Sequence, residues 1–88
     1  MTWTVHVHDE AARQLSAIPP DRRKRILDDV VALEEDPFRG LVKPLKGKAH
    51  KGKYRKVTGR YRIIFKLIHA THVVEVLAVL LRNERTYG

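Results

Sequence analysis

Between Lys53 and Leu81 the sequence holds three strand-forming runs separated by two very short turns, and this stretch limits the fold more than any other. Lys53 to Thr58 is the first run, and Gly59-Arg60 is a turn short enough to force an antiparallel hairpin. Tyr61 to Ile68 is the second. Its alternation places Tyr61, Ile63, Phe65 and Leu67 on one face and Arg62, Ile64, Lys66 and Ile68 on the other. After a turn at His69-Ala70-Thr71-His72, Val73 to Leu81 is apolar on both faces except at Glu75. That pattern predicts a strand with neighbours on both sides.

The first half reads differently. Trp3 to Val7 alternates β-forming residues and predicts a short edge strand. Asp9 suits a helix N-cap, and Ala12, Leu15 and Ile18 recur at intervals of three, predicting a short amphipathic helix that Pro19-Pro20 ends. Pro20 also suits the first turn of a second helix. There Ile26, Val30 and Leu33 form the apolar stripe, Leu27 and Val31 widen it, and Asp36-Pro37 stops it. Residues 38–52 are expected to be a basic loop. The expected fold is therefore α+β, in the order β-α-α-β-β-β, with a helical hairpin packed on a small, mostly antiparallel sheet. At 88 residues, one domain spanning 1–88 is expected.

Charge narrows the function. The net charge is +8, and it is unevenly distributed. Residues 1–42 carry a net −2 and residues 43–88 a net +10, with ten basic side chains and no acid between Lys43 and Lys66. Such a stretch attracts polyanions, chiefly nucleic acid, by steering and counterion release. The basic residues fall on strands and loops and not on an amphipathic helix, so a membrane partner is not expected. The absence of cysteine removes any disulfide framework and fits a reducing compartment. With no signal-like N-terminus, a cytoplasmic protein is expected. His6 and His8 share one face of the first strand, but no cysteine or nearby acid pair in the sequence completes a metal site, so neither metal nor cofactor is expected. No phosphate-binding glycine loop or nucleophile elbow is present.

Several of these segments together resemble the RelE/ParE toxin superfamily: Leu45-Lys46-Gly47, Gly52-Lys53-Tyr54-Arg55, Gly59 to Phe65 with its Tyr-Arg-Ile core, Val76 to Val79, and Arg82 to Tyr87. The resemblance covers the element order and length of the whole chain, and it favours the RelE-like mRNA interferase branch. It implies a type II toxin–antitoxin toxin, a ribosome-dependent endoribonuclease that cleaves mRNA and inhibits translation. Its partners would be the ribosome, mRNA and a cognate antitoxin that silences it in a hetero-oligomeric complex. The alternatives are a ParE-like DNA gyrase inhibitor without nuclease activity, or a catalytically degenerate RNA-binding member.

The resemblance also implies roles. RNA cleavage of this kind turns the ribose 2′-OH on the adjacent phosphate, and RelE-like enzymes resemble catalysts that use Arg, Lys and Tyr where ordinary nucleases use His or Glu. Arg62 matches the family's strand arginine and would hold the scissile phosphate through its planar fork. Arg82 or Arg85 matches the arginine that stabilises the phosphorane, and Tyr87 matches the terminal tyrosine, which would stack on a base or take part in proton transfer. Lys46, Lys48, Lys51, Lys53, Arg55, Lys56 and Arg60, together with Lys43, would contact RNA. One departure stands out: RelE-like members carry two alternating lysines on the strand before the hairpin, whereas here Arg55 takes the first place and Val57 the second. Lys56 is out of phase with Arg55.

Overall fold

The computed structural model describes residues 2–82. The three C-terminal runs form strands with the expected bounds, β3 (Lys53–Thr58), β4 (Tyr61–Ile68) and β5 (Val73–Leu81), preceded by β1 (Thr4–Val7), α1 (Asp9–Ser16), α2 (Pro20–Ala32) and β2 (Val42–Pro44). The sheet order is β1-β5-β4-β3-β2, with only the β1–β5 pair parallel. Gly59, with φ 59°, occupies the first position of the β3–β4 turn, where a two-residue hairpin of the Gly-X type needs a positive φ.

Both helices cover one face of the sheet. Ala11, Leu15 and Ile18 from the α1 region and Ile26, Val30 and Leu33 from the α2 region meet Ile63, Phe65, Leu67, Val74, Val76 and Val79 in the core. The sheet's other face carries Arg62, His6, Glu75 and the in-phase residues of β3, by strict alternation from these core positions.

Four details differ from the sequence expectation. β2 and a 3₁₀ turn at Lys48–His50 lie within the stretch expected to be loop. β2 is a three-residue edge strand, the position in a sheet where a proline such as Pro44 is tolerated. The N-cap of α1 is His8 and not Asp9; Asp9 begins the helix proper, where its charge still complements the dipole. Ala11 is fully buried while Ala12 is exposed. Finally, Leu27 and Val31 are 42% and 59% exposed: a straight helix on a sheet buries one i, i+4, i+7 line, and this line is already filled by Ile26, Val30 and Leu33.

Two side chains repair backbone groups that the topology strands. β1 stops at Val7 and the chain turns into α1, so β5 has no strand partner on that side beyond Val76. The Val79 N–H instead donates to Gln14 Oε1 at 2.6 Å. At the proline-interrupted helical hairpin, Arg23 donates to the carbonyls of Leu15, Ser16 and Ile18, the orphan acceptors that every helix C-terminus leaves behind.

Candidate functional site

The uncovered face of the sheet holds an open depression of ≈ 300 Å³ lined by Gly40, Leu41, Val42, Lys43, Arg55, Val57, Arg62 and Arg82. Register explains why these residues meet. Lys43 on β2 pairs with Arg55 on β3, Val57 on β3 pairs with Arg62 on β4, and Arg62 pairs with Leu80 on β5. Arg82 follows two residues after Leu80, on the same face by alternation, and its N–H donates to the Arg60 carbonyl, which carries the β4–β5 ladder one step further. Residues from four strands thus converge at one end of the sheet.

Electrostatics make Arg62 unusual. It is a residue only 9% exposed, with Val57 as its cross-strand neighbour on β3. Burial first, and then the charges of Arg55 and Arg82, push its pKa below the usual arginine value. All three causes disfavour the charged form. Among the described residues the lining includes no acid. Such a cluster is stabilised by an anion that enters it.

The other sequence-based candidates divide by face. Lys53 is in phase with Arg55 on the uncovered face and pairs with Lys66. Lys46, Lys48 and Lys51 are exposed around the 3₁₀ turn. Arg60, at the hairpin tip, sits with Arg22 and Arg25 in a separate recess of ≈ 170 Å³ between α2 and the hairpin. Lys56 corrects the expectation of an RNA contact. It is 4% exposed, lies on the helix side, and donates to the Asp29 carbonyl near the end of α2 at 3.4 Å. Its ammonium answers the orphan carbonyls and negative dipole end of that helix. Arg85 and Tyr87 lie outside the described residues. Lys43 reaches the depression through β2, a strand the sequence did not suggest; the signal was there in Val42-Lys43-Pro44, an alternation too short to stand out.

No family model and no curated protein matches the sequence. Solved structures do. A chain of the RelBE2 toxin–antitoxin complex from Mycobacterium tuberculosis matches at TM-score 0.82 and 25% identity, covering 93% of this chain and 100% of that one. A chain of the archaeal RelE–RelB complex from Pyrococcus horikoshii matches at TM-score 0.80 and 26% identity, covering 96% and 99%. The chain has the fold of the RelE/ParE toxin superfamily. The YoeB/ParE toxin from Agrobacterium tumefaciens shares the fold at TM-score 0.74 and 17% identity, covering 91% of this chain and 99% of that one. As a RelE/ParE-type chain it keeps the two helices on a five-stranded mixed sheet, and its basic depression lies on the face those helices leave open. Among the described residues no helix is long and apolar enough to cross a membrane.

Proposed function

We propose that this chain of RelE/ParE fold is the toxin of a type II toxin–antitoxin pair and that it cleaves mRNA on the ribosome in the cytoplasm. The observation that carries the reading is the convergence of Arg62, Arg55, Arg82 and Lys43 on one open depression of the uncovered sheet face. In this reading Arg62 grips two oxygens of the scissile phosphate, and the 2′-OH attacks the phosphorus as the bond to the 5′ oxygen breaks. Arg82 and Arg55 stabilise the extra negative charge of the phosphorane. No imidazole or carboxylate lines the depression among the described residues. Rate therefore comes chiefly from charge stabilisation and from a message already held in place by the ribosome. Lys46, Lys48, Lys51 and Lys53 supply phosphate contacts that position without reading sequence. The antitoxin would be an acidic and apolar segment, which suits both the basic depression and the exposed Leu27, Val31 and Leu41.

Mapping mRNA ends on translating ribosomes after expression of the chain tests this directly. Ribosome-phased cuts that vanish in Arg62→Ala support the nuclease. A second reading, gyrase inhibition without chemistry, is favoured by Val57, which lines the depression where RelE-like members carry a lysine. Intact message together with blocked DNA supercoiling would replace the first reading by the second.

A further inference from the structure

At the opposite end of the uncovered face, three potential metal ligands meet that are far apart in the chain. His6 alternates on β1 with Val5 and Val7, which pack on the core, and His8 follows the strand as the N-cap of α1. In the parallel β1–β5 ladder His6 pairs directly with Glu75, so backbone register places its imidazole beside the carboxylate, and the His8 N–H donates to the Val76 carbonyl, which holds the second imidazole against the same strand. One ligand atom from each of the three residues lies within 4.8 Å of the others. His8 Nε2 is 3.3 Å from Glu75 Oε2, yet that buried nitrogen makes no hydrogen bond.

We propose that His6, His8 and Glu75 bind a divalent ion of the zinc class. Zinc bonds of about 2.0–2.2 Å to N and O set tetrahedral ligand atoms roughly 3.3–3.6 Å apart. The His8–Glu75 pair already has that spacing, and the exposed His6 ring closes the remainder by a side-chain rotation. Two imidazoles and one carboxylate form a donor set suited to Zn²⁺, Co²⁺ or Ni²⁺ and poorly suited to Mg²⁺ or Ca²⁺. Three protein ligands leave one tetrahedral position for water or an incoming group. An ion there would satisfy the buried His8 nitrogen and tie the four-residue edge strand β1 to β5. Lys66 is the cross-strand partner of Glu75 in β4 and makes no ion pair with it among the described residues, so its charge weakens the site without occupying the carboxylate. Lys66 lies four residues along β4 from Arg62, about 13 Å at strand rise, so the site is independent of the basic depression and of the function proposed for it.

Calorimetric titration of the full chain with ZnCl₂, repeated with Co²⁺ to read the visible band of a four-coordinate ion, tests the site. One ion per chain is expected. His6→Ala, His8→Ala and Glu75→Gln should each weaken binding tenfold or more, on the order of what loss of a ligand or its support does elsewhere. Lys66→Met should tighten it. His69→Ala and His72→Ala, which alter the imidazoles around Trp3, should change nothing. Glu75→Gln is nearly isosteric and keeps the strand intact, so its result stands even if a histidine variant folds poorly. No saturable uptake of Zn²⁺, uptake undiminished in Glu75→Gln, or uptake that instead depends on His72 would each overturn the proposal.

Discussion

Replacing Arg62 with methionine should make the protein more stable while abolishing its toxicity. The residue is nearly buried, and burial together with Arg55 and Arg82 lowers its pKa. A base whose pKa falls on folding costs stability wherever both states carry the charge. That cost is fully present at neutral pH and is lifted only as pH rises between the lowered folded value and the ordinary arginine value, where the unfolded chain binds more protons. Methionine fills similar volume without the charge. Exchanging buried ionic groups for apolar ones of like shape is neutral to stabilising by about 1–4 kcal/mol, and desolvation, the leading cause of the lowered pKa, places this case on the stabilising side, at about 1–2 kcal/mol. For a chain of this size that raises the melting temperature by roughly 5–15 °C. Thermal unfolding followed by circular dichroism reads the shift. The wild type should also gain more from added salt than the variant, because salt screens the repulsion that the variant lacks. A variant that melts lower than the wild type at both low and high salt would refute the idea of a destabilising cation cluster.

Three other substitutions probe the supports of the site. Lys56→Ala removes three buried methylenes, at about 0.8 kcal/mol each, along with the donor to Asp29, and should cost about 1–3 kcal/mol in urea unfolding; Lys56→Met should recover most of that and, because Lys56 lies on the helix side of the sheet, leave any growth arrest intact. Gln14→Ala strands the Val79 N–H and should destabilise by about 1–3 kcal/mol, with faster hydrogen exchange at Val79, whereas Gln14→Glu keeps an acceptor and should not. Arg23→Ala exposes the carbonyls of Leu15, Ser16 and Ile18 and should cost a similar amount, read as a lower denaturation midpoint.

Much of this fold is visible in the residues because its strongest signals are local. The period-two runs around Gly59 and the double proline at 19–20 need no tertiary context, and the elements they predict match the structure closely. The failures are where context decides. β2 is three residues long, shorter than any pattern, and exists because β3 offers it a partner. In β5 a register shift opposite Ile64 and Phe65 lets both Val76 and Val79 enter the core, three residues apart, which strict alternation forbids. Lys56 is basic like its neighbours, and only the helix end above it shows that its charge is needed inside. Arg62 and Arg82 are named together through the resemblance, but the depth of Arg62 is not legible, because burial depends on the neighbouring strands β3 and β5 between which β4 lies. Glu75 beside His6 was invisible for a similar reason: parallel pairing across the whole chain length leaves no trace in local sequence.

That same pairing governs when the cationic depression is assembled. Among the described strands β1 comes first along the chain, and the strand that receives it comes after the others. Arg82 sits just beyond that late strand, so the cationic depression lacks one wall until β5 has docked between β4 and β1. A chain whose β5 has yet to emerge during synthesis therefore lacks the assembled depression, and the order of translation itself sets when those charges first come together.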